Sequence, residues 1–160
     1  MTAWSLRLTE ARSGLDVTIE LLEKKAPANV AFLRNLLAEP CEMPAIHAIW
    51  TGPEISCPIP SALVPPELAE VPLPPENATL TPQPGDLVLA YVPARMWGGS
   101  PSPIFDLGVF YGPGARMLFP IGWLAGSVIG KVLPQDLAAL TEGCIAIRQQ
   151  GACTLRFEAK

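Results

Sequence analysis

Residues 17–37 read VTIELLEKKAPANVAFLRNLL, and this stretch decides the fold. Val17, Ile19 and Leu21 alternate with polar residues, which is the period of a half-buried strand. After Pro27, which suits the first turn of a helix, apolar residues recur at helical spacing. The sequence therefore predicts a strand that leads directly into a helix of about three turns.

The same stretch resembles the first strand and helix of cyclophilins, through its Lys-Ala-Pro turn at 25–27 and its Asn-Val-x-Phe-Leu run at 29–33. A second segment, VIGKV at 128–132, resembles the cyclophilin segment that precedes the second helix. The resemblance implies a mainly β fold. We expect one closed cyclophilin-like β-barrel of about eight strands with two short helices.

Three further motifs are similar to those of a group of short, uncharacterised bacterial proteins with a cyclophilin-like barrel. They are Glu-Asn-x-Thr at 76–79, Pro-Gly-Asp at 84–86 and Tyr-Gly at 111–112. In such a barrel the last strand pairs with the first. The resemblance therefore implies that residues 154–158 lie beside residues 17–22.

Composition bounds the class of protein. The chain has 160 residues, of which 49% are apolar and 16% charged, so we expect a single domain over 1–160. No apolar run approaches the roughly 20 residues that span a bilayer, and no signal peptide is evident at the start, which predicts a cytoplasmic location and no membrane partner. Net charge is −4, and the basic residues are scattered, which excludes a nucleic-acid partner.

Several segments stand outside the simple barrel pattern. Residues 1–12 are predicted to form either an extra edge strand or a tail. Residues 60–75 form a Pro-rich excursion with one helical turn at 65–70, placed over the mouth or side of the barrel or as a plain surface insertion. Near the end, the pattern predicts a short helix at 134–140, and strands at 144–148 and 152–158 that close as a hairpin.

Four cysteines, Cys41, Cys57, Cys144 and Cys153, form no Cys-x-x-Cys pair. They are predicted to be reduced, because a tight turn at 150–151 would place Cys153 opposite Arg148 and not opposite Cys144. With His47, the only histidine, they make no spacing typical of zinc. The sequence therefore predicts no metal and no cofactor.

The resemblance to cyclophilins first implies prolyl isomerase activity. In cyclophilins the arginine that weakens the resonance of the X-Pro amide directly follows a histidine on the strand after the first helix. Here Ala48 follows His47, and alanine cannot donate that hydrogen bond. We therefore expect a barrel without prolyl isomerase activity, with weak isomerase activity as an alternative.

The predicted function is the binding of a small molecule or short peptide at one face of the barrel, with no catalytic residue assigned. The candidate ligand-binding residues are His47, Trp50, Glu54, Glu76, Asn77 and Tyr111. One alternative is a hydrolase or isomerase of amide-type metabolites, in which His47 acts with Glu54 or Glu76. Another is a structural module or homo-oligomer built on the loops that carry Trp97 and Trp123.

Overall fold

The computed structural model describes residues 3–160, and its strands make one large sheet and one small hairpin. The strands are β1 Ser5–Glu10, β2 Leu15–Leu21, β3 Cys41–His47, β4 Glu54–Pro58, β5 Ala78–Thr79, β6 Asp86–Val92, β7 Ile104–Phe110, β8 Leu118–Phe119, β9 Gly122–Trp123, β10 Gly126–Val132 and β11 Cys153–Ala159. The helices are α1 Pro27–Leu36, α2 Pro66–Ala69 and α3 Leu137–Gln150.

Eight of these strands form a closed antiparallel barrel in the order β2-β1-β11-β3-β4-β7-β6-β10. The barrel closes because β10 also pairs with β2, with Gly130 opposite Leu21 and Val132 opposite Ile19. The short β5 extends the sheet beside β10, and β8 and β9 form the separate hairpin. The predicted mainly β fold, with a closed barrel of about eight strands, is thus confirmed.

Every second side chain of the barrel strands points inward, and these side chains fill the barrel. On β7, Phe105, Leu107 and Val109 are at most 2% exposed and belong to the central core, together with Ile19 of β2 and Leu155 of β11. Each such buried side chain contributes about 1.5–3 kcal/mol to folding. Because alternate residues of a strand point to opposite faces, the residues between them line the outer wall of the barrel.

The first strand differs from its prediction. Instead of forming an edge or a tail, β1 lies inside the barrel wall between β2 and β11, and its Leu6 and Leu8 are fully buried. Leu8 is opposite Val17 on one side and Phe157 on the other. The predicted direct pairing of 154–158 with 17–22 is therefore wrong, because β1 occupies the place between them. Residues 1 and 2 of the predicted segment lie outside the described residues.

The last helix is longer than predicted. The segment 144–148 continues α3 and is not a strand, so β11 has no hairpin partner before it. Leu140, Cys144 and Ile147 follow helical spacing and are fully buried in the core. Gly143 does not end the helix. It lies where a Cβ atom would come within 2.8 Å of Leu15, so its lack of a side chain lets α3 pack closely on β2.

The Pro-rich excursion contains one 3₁₀ turn at Ser61–Leu63 and the single turn of α2. Leu68 and Leu73 are half-buried against the central core, which ties the excursion to the barrel. The four cysteines are free thiols, as predicted. No helix in residues 3–160 combines the length and apolar character that a membrane crossing requires.

Candidate functional site

An apolar cleft lies on the outer wall of the barrel, on the faces of β3, β4, β6 and β7. Ile55 and Cys57 point into the core, so Glu54 and Ser56 of the same strand point outward. Asp106 and Gly108 of β7 face outward for the same reason. Ser56 is directly opposite Gly108 in the sheet, which brings these outward residues onto one surface.

This outer-wall cleft has a volume of about 300 Å³. Loops 48–53 and 93–103 contribute Trp50 and Trp97, whose rings are 5.4 Å apart, and Phe119 packs edge-on against Trp97 at 5.8 Å. The remaining lining residues are mostly apolar: Ile46, Ala48, Ile49, Thr51, Glu54, Ser56, Pro58, Ala90, Val92, Ile104 and Asp106. None of these lining residues has a basic side chain.

Glu54 is the most buried acidic group of the cleft, with 3% of the residue exposed. The hydroxyl of Thr51 donates a hydrogen bond of 2.7 Å to its Oε1. Its Oε2 lies over Gly108, where a Cβ atom would come within 2.0 Å, and takes part in no hydrogen bond among residues 3–160. Gly108 therefore makes room for a carboxyl group that keeps one oxygen free at the wall of the cleft.

Asp106 is the second acidic group of the cleft. The Ser56 hydroxyl lies 3.0 Å from each of its carboxylate oxygens and donates to this carboxylate. Ala90 of β6 is directly opposite Asp106, and Pro58 of β4 is opposite on the other side. Apolar neighbours thus flank the aspartate within the sheet, and the Ser56 hydroxyl and the Cys57 backbone N–H donate hydrogen bonds to it.

Burial changes the protonation of both carboxyl groups. Burial raises the pKa of Glu54 to about 8, the negative charge of Asp106 adds to the rise, and the hydrogen bond from Thr51 opposes it. Burial also raises the pKa of Asp106 to about 6, against the hydrogen bond from Ser56. At neutral pH the pair therefore holds one proton and one negative charge between its two carboxyl groups. Such a pair can donate a hydrogen bond, accept one, or attract a cation.

His47 and Tyr111 lie at the end of the barrel and do not line this cleft. His47 is opposite Ile55, whose side chain points inward, so His47 and Glu54 lie on opposite faces of the barrel wall. His47 Nε2 is 2.7 Å from the Tyr111 hydroxyl, and its Nδ1 is 2.9 Å from the carbonyl oxygen of Ala48. Both ring nitrogens therefore already have partners.

Glu76 and Asn77 occupy a third place, where they hold the chain together. The Glu76 carboxylate accepts hydrogen bonds from the backbone N–H groups of Ala28 and Asn29 and from the Asn29 side chain, at 2.8–3.0 Å. It thus caps the first turn of α1. Asn77 has a positive φ of 49°, and its amide donates to the carbonyl oxygen of Val128.

The six candidate residues are therefore divided among three places. Trp50 and Glu54 share the outer-wall cleft, His47 and Tyr111 share the end of the barrel, and the other two support α1 and β10. Sequence reasoning missed Asp106 as a site residue. Its one signal was an isolated acidic residue on the outward face of an otherwise apolar strand. Among the described residues, no three His, Cys, Asp or Glu side chains converge as they would around a metal ion.

Comparison with solved structures shows the same architecture. The structure of McbB in complex with tryptophan has a TM-score of 0.65 at 21% identity over 96% of this chain, which spans 44% of the McbB chain. The hypothetical protein AF2241 from Archaeoglobus fulgidus has a TM-score of 0.53 at 18% identity, over 98% of this chain and 94% of its own. A cyclophilin-type peptidyl-prolyl cis-trans isomerase of Cryptosporidium parvum has a TM-score of 0.51 at 11% identity, over 99% of this chain and 98% of its own.

At these identities the likeness concerns the fold. This chain spans less than half the length of McbB. A search of curated proteins found no match. One family model, described as "Protein of unknown function (DUF3830)", matches residues 8–159, which include every strand of the barrel except the first residues of β1. The chain therefore belongs to the DUF3830 family of proteins of unknown function, and it has a cyclophilin-like barrel.

Proposed function

We propose that this protein binds a small molecule in the outer-wall cleft, and that the ligand has an apolar, ring-sized body and a protonated amine. The observation that carries the proposal is the Glu54 side chain. It is 3% exposed, and its Oε2 has no hydrogen-bond partner within residues 3–160. This oxygen is open to the cleft, where a bound ammonium group would donate to it and favour the ionised carboxylate, since a nearby opposite charge lowers the pKa of a carboxyl group.

The charge of the cleft favours a cationic ligand over an anionic one. Among the described residues that line it, Glu54 and Asp106 are the ionisable ones, and both are acidic. A carboxylate or phosphate would meet the negative charge of Asp106 with no basic side chain to offset it. An ammonium group would instead be attracted to the pair, and an aromatic wall adds cation–π attraction of about 0.5–2 kcal/mol.

The size and lining of the cleft favour a ring. The volume of about 300 Å³ lies at the lower end of the range for small-molecule sites. Trp50, Trp97 and Phe119 present three aromatic faces or edges to it. The tryptophan complex of McbB makes indole compounds the first probes to try, although that fold likeness does not identify the ligand here.

The proposal does not include prolyl isomerase activity. Ala48 lines the cleft where the cyclophilin resemblance expects an arginine, and no arginine side chain lines the cleft. We expect a proline-peptide assay to give the same rate with the protein as with buffer alone. A rate above buffer that Glu54→Gln abolishes would contradict this part of the proposal.

The alternatives predicted from the sequence have less support. A hydrolase that pairs His47 with Glu54 or Glu76 needs these groups together, and they lie in three different places. Trp97 packs within the chain on Trp50, which leaves Trp123 as the more exposed tryptophan for an oligomer contact. The cytoplasmic location stays part of this proposal.

Isothermal titration with three indole probes of different charge tests the proposal. At pH 7 we expect tryptamine to bind more tightly than neutral indole, and indole-3-acetate to bind most weakly. Glu54→Gln should weaken tryptamine binding about tenfold, since glutamine cannot ionise beside the bound ammonium group and a charge-assisted contact is worth about 1.5–3 kcal/mol. The matched control is Glu67→Gln on the exposed surface of α2. Equal binding of the three probes would refute the charge argument, and no binding of any would refute the indole-sized ligand class.

A further inference from the structure

A second cleft lies at the end of the barrel, where β3 and β7 finish and α3 completes its last turn. It has a volume of about 370 Å³. His47 is the last residue of β3, Tyr111 follows the last residue of β7, and Arg148 lies in the last turn of α3. Gly52, Pro53 and Pro113 complete most of the wall. We call this the barrel-end cleft.

Two hydrogen bonds determine which atoms of His47 and Tyr111 donate and which accept in this cleft. The carbonyl oxygen of Ala48 can only accept, so His47 must carry its proton on Nδ1. In the neutral imidazole, Nε2 is then an acceptor, and the Tyr111 hydroxyl donates to it at 2.7 Å. The hydroxyl proton of Tyr111 is thus committed to His47. Its oxygen lone pairs remain to accept a donor from the other side.

Arg148 supplies positive charge to the barrel-end cleft. Burial raises the pKa of the Tyr111 hydroxyl, and the adjacent positive charge of Arg148 opposes the rise. No ion pair involving Arg148 is present in the described part of the chain. No acidic side chain lines the barrel-end cleft either. The guanidinium is therefore a cation at the wall of the barrel-end cleft with no acidic partner among residues 3–160, and it shares that wall with the tyrosine–histidine pair.

We infer that the barrel-end cleft is a subsite for a carboxylate, which the Arg148 guanidinium would bind with two parallel hydrogen bonds. One guanidinium with no second cation matches a planar anion of single charge better than a phosphate of double charge. Ala48 and Ile49 line both clefts, so the two sites adjoin. Their charges come from different side chains, and the subsite does not depend on the proposed ligand of the outer-wall cleft.

The test is an NMR titration of the full chain with sodium benzoate at constant ionic strength, followed through the Arg148 Nε–H signal. We expect saturable binding to the parent protein and at least about tenfold weaker binding to Arg148→Gln. Arg156→Gln is the matched control, because Arg156 is a half-buried arginine on β11 that lies outside the barrel-end cleft, beside Glu42. Both Arg156→Gln and Glu54→Gln should bind benzoate as the parent does. Thermal unfolding of each variant checks that it is folded.

Four results of these titrations would count against the subsite. Equal binding by Arg148→Gln and the parent would show that benzoate is held elsewhere, and the absence of saturable binding to the parent would remove the site. Inorganic phosphate is the second probe, and tighter binding of phosphate than benzoate would overturn the assignment to a carboxylate. Loss of benzoate binding in Glu54→Gln would move the anion to the outer-wall cleft. Failure of tryptamine to bind would leave this inference standing.

Discussion

Gly108 is the residue on which the position of the Glu54 carboxyl group depends. A Cβ atom at this position would lie 2.0 Å from Glu54 Oε2 and 2.9 Å from its Cδ. The backbone of Gly108 is regular β-strand, so its conformation does not demand glycine. Space demands it. The glycine and the buried carboxyl group therefore form a single feature, although they are on different strands.

Gly108→Ala should displace Glu54 and destabilise the protein by about 1–3 kcal/mol, the usual cost of adding a methyl group to a packed site. Tryptamine binding should weaken together with stability. Urea unfolding of Gly108→Ala, Glu54→Ala and the double variant measures the coupling between the two positions. We expect the double variant to be less destabilised than the sum of the single variants. Additive effects would mean that the alanine methyl does not meet the carboxyl group.

The raised pKa of Glu54 predicts how stability depends on pH. The native state keeps this proton up to about pH 8, whereas an unfolded glutamate loses it near 4.5. The contribution to stability is therefore fully present below about 4.5 and is lost as pH rises toward 8. Glu54→Gln lacks this titration. Between pH 5 and pH 8 the parent should lose on the order of 1–3 kcal/mol relative to this variant.

Urea unfolding at several pH values across that window checks this prediction. Asp106 is present in both proteins, so its own titration largely cancels in the difference. Parallel stability curves for parent and variant would show that Glu54 is ionised in the native protein at neutral pH.

At the scale of elements, α1 depends on a residue far from it in the sequence. Its N-cap residue, Ala26, has no side chain that can cap the helix. The Glu76 carboxylate accepts the hydrogen bonds of Ala28 and Asn29 instead. Although burial acts to raise it, these hydrogen bonds hold the pKa of Glu76 below its ordinary value. The path of the Pro-rich excursion therefore places Glu76 at the start of α1, where its carboxylate caps the helix.

Glu76→Gln should destabilise the protein by about 1–2 kcal/mol, since it removes the negative charge from the helix start. Because the pKa is lowered, this difference should be present at neutral pH and shrink as pH falls through the folded value. Chemical unfolding at pH 7 and at pH 3 measures both effects. Glu70→Gln, on the exposed end of α2, is the matched control and should change little. Equal stability of Glu76→Gln and the parent at pH 7 would contradict the capping role.

At the scale of the whole molecule, closure of the barrel depends on β1. This strand pairs with β2 on one side and β11 on the other, and without it the barrel has two unpaired edges. Leu6 and Leu8 also leave the core with it. Their burial alone is worth about 3–6 kcal/mol, a large fraction of the 5–15 kcal/mol that typically stabilises a domain.

Deletion of residues 1–12 should therefore abolish cooperative unfolding and leave a chain that aggregates or stays unfolded. Deletion of residues 1–3 is the matched control, because it keeps Trp4, whose carbonyl oxygen accepts a hydrogen bond from Leu21. Circular dichroism during thermal unfolding and size-exclusion chromatography compare the two truncations. A folded, monomeric protein without residues 1–12 would mean that the barrel can close without β1.

The sequence by itself determined the elements whose residues carry a periodic pattern. Alternation on β2 and β7 separated core from outer-wall residues, including Asp106 and Gly108 on the outward face. The strand and helix of 17–37 and the order of the motifs indicated the cyclophilin-like barrel. Local spacing was sufficient there, because burial of one face is what makes a strand or helix periodic.

Tertiary structure alone decided which strands are neighbours and which side chains meet. The pattern of β1 is the same for an edge strand and for a strand within the barrel, so only pairing shows its place. Trp50 and Trp97 lie on two loops whose sequences do not indicate that the loops are in contact. The hydrogen bond from Ala28 to Glu76 joins residues that are far apart in the sequence. Periodicity reports which face of an element is buried, whereas a site requires faces of several elements to come together, and that depends on the packing of the whole chain.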